Sequence, residues 1–482
     1  MTASTTSGRK KISADVVVIG AGSGGLSVAS GAAQLGLDVV LFERGEMGGD
    51  CLNYGCVPSK ALLNVAHAMQ TIRTASDLSI DVGTPRVNWE GVKAHIKSVI
   101  AEIAPVDSQE RFEGMGVNVV RETARFINEK TIASESVEVE ARRIVIATGS
   151  KAVVPPVDGL KDRPYWTNEN IFDIPELPEH LLILGGGPIG MEMAQAFHRL
   201  GSKVTVIEQN APLGRSDPKH AAEVIQCLRD EGITILDGHK VTAVGGVEKA
   251  LTLTLETENG ETQISGTDLL VAVGRQPVME ALDLEKGGVE FDKKGIKTRD
   301  NLRSVSNSRV WAVGDIAGRG QFTHLAGWHA SIFVQAALMK LPTKAVTEQL
   351  PAVTYVDPEI GQVGLSEAEA RDRHGDDIEV VSFGFDENDR AIAEARTTGS
   401  LRLFTKSGKI LGASMMGEGA GDIMQIVSVA MANKLSLRDL TKHISPYPTR
   451  AEVVKRAASS YYSPKLFSPM VRKLVGILQL IP

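Results

Sequence analysis

Apolar residues along the chain fall into two recurring arrangements: short unbroken runs, and longer stretches at helical spacing. Asp15-Val16-Val17-Val18-Ile19 is one such run, and it predicts a strand buried on both faces of a parallel sheet. Val39-Val40-Leu41-Phe42, Leu181-Leu182-Ile183-Leu184 and Val204-Thr205-Val206-Ile207 read the same way, as do 144–146 and 310–313. Helical patterns are expected up to Leu35, from Ala61 onward, and over 89–103, 191–200 and 325–341. Strands alternating with helices make an α/β chain with doubly wound parallel sheets. Leu251-Thr252-Leu253-Thr254-Leu255 alternates residue by residue, as a strand with one wet face does. From Leu350 the pattern changes to strands near 352–356, 378–385, 399–405 and 410–416 with a helix over 420–433. That is an α+β arrangement. In the last stretch Met470, Leu474, Ile477, Leu478 and Ile481 form a helical stripe beside Arg472 and Lys473. Such a stripe is expected to dock on the parent fold, with membrane-surface contact as the alternative.

Two of the buried runs end in glycine turns. Gly20-Ala21-Gly22-Ser23-Gly24-Gly25 follows the first strand and opens a helix, and Glu43 closes the next strand. Glycines Gly20, Gly22 and Gly25 let backbone amides approach a pyrophosphate at the helix N-terminus, and Glu43 can bind an adenosine ribose. The bland alternative is a tight turn without a ligand. The same device recurs in Gly185-Gly186-Gly187-Pro188-Ile189-Gly190, with Glu208 closing the following strand. Two units imply two dinucleotides, one kept and one exchanged. Gly185, Gly187 and Gly190 then cradle the second. A carboxylate at Glu208 accepts from a ribose 2′-OH and repels a 2′-phosphate, favouring NADH over NADPH, while Arg215 softens that preference.

Composition narrows the class. At 482 residues the chain should hold about three domains. Its 52 basic and 59 acidic residues leave a net charge of −7 with no basic stripe, which argues against nucleic acid as a partner. Residues 1–12 are Ser/Thr-rich and then basic with no apolar core, so no signal peptide is expected. The apolar runs are too short to span a bilayer.

Two of only three cysteines, Cys51 and Cys56, sit four residues apart around Gly55; the third is Cys227. Thiols this close can meet disulfide geometry where glycine lets the backbone bend. So short a loop makes a poor staple. A zinc site would need about four ligands, and no second cysteine pair exists. Pro58 suits a first helical position, placing Cys56 just before a helix N-terminus, where the dipole and amides favour a thiolate. A pair that opens and closes is the reading, with a structural disulfide or unreactive thiols as the alternatives. Cycling thiols fit a reducing, cytoplasmic setting.

The stretch Cys51-Leu52-Asn53-Tyr54-Gly55-Cys56-Val57-Pro58-Ser59-Lys60 resembles the flavin-dependent pyridine nucleotide–disulfide oxidoreductases, such as dihydrolipoamide dehydrogenase, glutathione reductase and mercuric reductase. The resemblance runs from about Asp15 to about Ala458. It implies two doubly wound dinucleotide-binding domains plus a C-terminal α+β dimerisation domain. FAD would occupy residues 1–155 with 275–348, NAD(P) residues 156–274, and a homodimer contact residues 349–482. It places FAD at the first glycine loop, with Gly49 beside it. It makes Cys56 the thiolate nearest the flavin and Cys51 the thiol that attacks substrate, with Lys60 near the flavin N5 and paired to Glu192. Thr148 and Gly149 belong to its Ala-Thr-Gly segment, Gly274 to its return from the nucleotide domain, and Asp315 to its flavin ribityl contact.

One segment departs from the family. A histidine is expected before Pro-Thr, five positions ahead of a glutamate, to move protons for the thiols. Here Tyr447-Pro448-Thr449-Arg450-Ala451-Glu452 puts tyrosine in that place. With a reference pKa of about 10, tyrosine is a poor base near neutrality. Mercuric reductase shares the tyrosine but adds a C-terminal cysteine pair, whereas no cysteine follows Cys227 here. His443 is a candidate substitute base. The resulting expectation is an NADH-linked enzyme that passes electrons through FAD and the Cys51–Cys56 disulfide to a small-molecule or protein-bound disulfide, with no bound metal. Direct delivery from the flavin to a quinone, metal ion or oxygen is one rival. A redox-responsive binding protein is another.

Overall fold

The computed structural model describes residues 8–258 and 260–481. Residues 1–7 of the leading Ser/Thr-rich segment lie outside them. The first expected strand runs further than its apolar core, over Lys10–Ile19. Its polar front half is held by pairing rather than burial, in parallel register with Val137–Ile146 from Lys10↔Val137 to Ile19↔Ile146. Across this first sheet the order is Asn118–Val120, Val39–Phe42, Lys10–Ile19, Val137–Ile146, with an antiparallel edge formed by Thr131–Ala133 and Arg125–Asn128. Val310–Ala312 also pairs with Val137–Ile146, so the chain returns here after building a second sheet.

That second sheet is wholly parallel, in the order Thr234–Asp237, Lys203–Glu208, His180–Leu184, Asp268–Val271. An antiparallel meander of Lys240–Val247, Ala250–Thr257 and Gly260–Gly266 covers it. The chain leaves and re-enters the first unit through Ser150–Ala152 and Arg275–Pro277, which pair antiparallel. Both parallel sheets stack branched aliphatics on each face, and Val16, Val17, Val18, Leu181, Leu182 and Ile183 are fully buried.

The C-terminal part is a five-stranded antiparallel sheet in the order Ala352–Thr354, Glu359–Gly364, Lys409–Gly417, Ser400–Lys406, Glu379–Gly384. Helices Ala420–Ala432 and Glu452–Leu466 pack on it. Glu359–Gly364 does not read as a strand, because two of its six residues are glycine. Packing explains one of them: a Cβ on Gly361 would stand 3.1 Å from the Ala420 carbonyl oxygen.

Two expectations need correction. Cys56 is the first residue of helix Cys56–Arg73, with Pro58 inside its first turn, rather than the residue before it. The expected stripe does form a helix, Pro469–Leu478, but none of its residues is buried, so it does not dock on its own chain. Among the described residues no helix is long and apolar enough to cross a membrane.

Candidate active site

The two glycine loops adopt one conformation. Gly20 and Gly185 have φ of +105° and +113°, and a Cβ on either would stand 2.5 Å from a carbonyl oxygen, of Ala147 or Ala272. A Cβ on Gly25 would lie 1.8 Å from the Gly20 oxygen, and one on Gly190 would lie 2.0 Å from the Gly185 oxygen. Only glycine fits these positions. Glu43 accepts hydrogen bonds from the amides of Ala21 and Gly45, both at 2.7 Å. Glu208 accepts from those of Gly186 and Asn210, both at 2.8 Å. Each carboxylate is thus pinned across the mouth of its loop. Gly22 opens helix Ser23–Gln34 and Gly187 opens helix Pro188–Leu200. Both loops line one cleft of about 2540 Å³, well beyond the roughly 300–1,000 Å³ of an ordinary small-molecule pocket. Loops and cleft fit two dinucleotides.

The cysteine segment roofs the first loop. Gly48 bridges Gly22, and a Cβ on Gly49 would meet the Gly22 Cα at 2.7 Å. Cys51 lies in the short helix Gly49–Asn53, and Cys56 follows across Gly55. Both are free thiols in the structure. A hydrogen bond between them polarises the pair. It raises the Cys51 pKa, as burial does too, and lowers that of Cys56 to about 6. Thr323 and the Lys60 charge also lower Cys56, against an opposing effect of burial. The Thr323 hydroxyl is 3.2 Å from the Cys56 sulfur. The geometry therefore favours a thiolate on Cys56 and a thiol on Cys51.

Packing of helix Cys56–Arg73 on helix Pro188–Leu200, with Leu62, Ala66, Met191 and Phe197 in one buried cluster, brings Lys60 to Glu192. The ion pair measures 2.6 Å, and Glu192 is only 5% exposed. Its other oxygen accepts from the Tyr355 amide at 2.9 Å, and the Lys60 ammonium lies 4.4 Å from the Tyr355 ring centroid. Lys60 is thus held by two groups, the Glu192 carboxylate and the Tyr355 ring, from two distant parts of the chain.

Asp315 accepts from the Ser150 hydroxyl at 2.5 Å, and burial raises its pKa. Arg275 donates to the Ser150 hydroxyl and reaches Asp50 at 3.0 Å. Asp50 in turn accepts from Asn168 at 3.0 Å. This polar chain ties Asp315 to the residue next to Cys51. Thr148 spends its hydroxyl on the Val278 carbonyl, and the Gly149 and Gly274 carbonyls accept from Val278 and Val153. Gly149 and Gly274 both have positive φ and line the cleft.

Tyr447 and Glu452 do not line that cleft. Tyr447 is 67% exposed and donates to Asp389 at 2.8 Å, which raises its pKa. Glu452 begins helix Glu452–Leu466. The His443 ring is engaged locally, by the Leu440 carbonyl and by Ser445, both at 2.8 Å. Among the described residues no cluster of three or more His, Cys, Asp and Glu side chains could hold a metal ion. Sequence reasoning missed Thr323, Tyr355, Ser150, Arg275 and Asp50. Only Asp50, adjacent to Cys51, carried a local signal: a charged residue inside a glycine-rich turn beside a thiol.

Comparison with known proteins bears on the whole chain. Residues 14–330 match the pyridine nucleotide-disulphide oxidoreductase family, and residues 350–458 match its dimerisation domain, which supports a homodimer. Mercuric reductase of Streptomyces lividans is 33% identical over 457 residues, covering 93% of this chain and 96% of that protein. Dihydrolipoyl dehydrogenase of Haloferax volcanii is 32% identical over 460 residues, covering 92% and 96%. The Cu(II) complex of the HOCl-induced flavoprotein disulfide reductase RclA from Escherichia coli superposes with a TM-score of 0.82 at 27% identity, covering 92% of this chain and 98% of that one. A thiol pair roofing one of two matched glycine loops is what these relationships call for, and the chain belongs to the pyridine nucleotide–disulphide oxidoreductases, enzymes that join FAD to NAD(P)H.

Proposed function

We propose that the chain carries electrons from NADH through FAD to the Cys51–Cys56 pair, and from Cys51 to a small-molecule or protein-bound disulfide. The polarised thiol pair carries this reading: Cys56 is held as a thiolate by Cys51, Thr323 and Lys60. Residues 1–155 and 275–348 would hold FAD, 156–274 the nicotinamide dinucleotide, and 349–482 the dimer contact. FAD would lie over Gly20, Gly22 and Gly25 with its ribose at Glu43, beside Gly49, Lys60, Thr148 and Gly149, with Asp315 toward its ribityl chain. NAD would lie over Gly185, Gly187 and Gly190, with Glu208 at its ribose and Gly274 beside it. FAD, when bound, supplies the two-electron link between nicotinamide and sulfur.

The protein's own residues then act as follows. Opening the Cys51–Cys56 disulfide takes up two electrons and one proton, leaving a thiol on Cys51 and a thiolate on Cys56. Cys51 attacks the acceptor disulfide and expels one thiolate, which takes up the proton that Cys51 gives up; Cys56 attacks the mixed disulfide, expels the second thiolate and restores the pair. Lys60, oriented by Glu192, keeps a cation beside the reacting sulfur. Tyr447 and Glu452, which do not line their own cleft, would act across the dimer. Glu208 supports NADH over NADPH, and thiols that cycle suit a reducing cytoplasm.

Cys51→Ser tests the scheme. It should lower disulfide-dependent turnover by at least about a thousandfold while the visible flavin spectrum of the purified protein is unchanged. Turnover retained in that variant sinks the mechanism. Tyr447 favours a second reading, since a phenol bonded to Asp389 is no base near neutrality. Electrons would then pass directly from the flavin site to a metal ion, quinone or oxygen. Metal ions gain weight from the names of the relatives, mercuric reductase and a Cu(II) complex. Full activity of Cys51→Ser toward such an acceptor would establish this reading.

A further inference from the structure

The helix Pro469–Leu478 has no part in the chemistry above and lies beyond the matched dimerisation domain, which ends at 458. It forms on local signals: Pro469 takes the first helical position and the Ser468 side chain accepts from the Val471 amide. At 100° per residue, Met470, Leu474, Ile477 and Leu478 fall within about 100° of arc. They are 80%, 53%, 55% and 50% exposed, and Phe467 and Ile481, just outside the two ends of the helix, are open to water as well. Ten residues of helix are marginal in water on their own, so this face calls for a cover.

Charge shows what covers it. Residues 453–481 contain Lys455, Arg456, Lys465, Arg472 and Lys473 and no acidic residue, in a chain whose net charge is −7. Lys465 sits over the Tyr461 ring at 3.9 Å, and Lys455 donates to the His443 carbonyl. Arg472 and Lys473 make no ion pair among the described residues. The apolar face bears no side-chain hydrogen-bonding group, so it asks only for apolar depth, and Arg472 and Lys473, on the remaining polar side of the helix, ask for anions above that depth. A bilayer with anionic headgroups supplies both.

We propose that Pro469–Leu478 lies in the interface plane of an anionic phospholipid bilayer, with Met470, Leu474, Ile477 and Leu478 inserted and Arg472 and Lys473 at the headgroups. The site is independent of the thiol chemistry. Flotation of the full-length FAD-bound protein with vesicles of phosphatidylglycerol and phosphatidylcholine, against pure phosphatidylcholine, tests it. Binding is expected to the anionic vesicles and to fall about tenfold or more on pure phosphatidylcholine. Arg472→Gln with Lys473→Gln should weaken partitioning about thirtyfold. Leu474→Asp with Ile477→Asp should abolish it. Sedimentation mass and NADH-driven turnover should be unchanged in both variants. No binding to anionic vesicles, or equal binding to both vesicle types, overturns the proposal. A fall in oligomer mass in the Asp variant also overturns it, because a second copy would then be the cover.

Discussion

The two glycine loops share one backbone and differ in what lies over them. At the first, the cysteine segment closes down until a Cβ at Gly49 would touch Gly22, and a Cβ at Gly24 would meet Val313 at 2.9 Å. At the second, nothing lies within 4 Å of where a Cβ on Gly187 would be. Both loops line the cleft, but the first is roofed by the cysteine segment while the second is open above Gly187. The same local device can therefore keep one dinucleotide and exchange another, and the neighbours, not the loop, decide which.

The largest test of this contrast is a pair of alanines. Gly25→Ala and Gly190→Ala each drive a Cβ into the preceding carbonyl oxygen of their loop. Gly25→Ala should yield protein without FAD, seen as loss of the visible flavin bands. Gly190→Ala should keep FAD while kcat/KM for NADH falls at least about a hundredfold, corresponding to roughly 2.7 kcal/mol. Loss of FAD from both would erase the distinction between the loops.

A smaller effect sharpens it at the two carboxylates. Glu208→Gln should cut the ratio of kcat/KM for NADH over NADPH by roughly tenfold, by removing the charge that repels a 2′-phosphate. Glu43→Gln should leave that ratio untouched and weaken FAD retention instead. Steady-state kinetics and flavin content measured on both proteins separate the two roles.

The smallest expected effect lies in the roof itself. Because the Cys56 pKa is lowered to about 6, its thiolate is present above that pH and lost as pH falls through it. Iodoacetamide should label Cys56 of the reduced protein with a midpoint near that value. Thr323→Val removes one of the bonds to the sulfur and should move the midpoint upward, while Cys51, its pKa raised, stays unlabelled at neutral pH. A midpoint that does not move would show Thr323 to be a packing residue only.

Much of this architecture is legible locally. Buried aliphatic runs, glycines at fixed offsets and a glutamate at the end of the next strand all sit within a few tens of residues, and sterics leave them few alternatives. The Lys60–Glu192 pair spans 132 residues and came from resemblance rather than periodicity. Thr323 reaches Cys56 across 267 residues, and no pattern near either residue announces it. The Glu359–Gly364 strand was illegible because Gly361 makes room for a neighbouring helix and Gly364 takes a positive φ against the adjacent strand, neither of which reads as a strand preference. The amphipathic helix Pro469–Leu478 was legible as a helix and misjudged as docked, since periodicity reports that a face is apolar and not what meets it.

By itself the sequence determined the two glycine loops, the thiol pair and the change to an α+β C-terminal part. Each follows from backbone sterics and side-chain period over short distances. Only the tertiary structure decided that Thr323 bonds the Cys56 sulfur, that the Tyr355 ring lies against Lys60, that Tyr447 does not line its own cleft, and that none of the final helix is buried. Those outcomes depend on burial and electrostatics between segments far apart in the chain, from 58 residues for Tyr447 and Asp389 to 267 for Cys56 and Thr323, and they arise only once the sheets have packed.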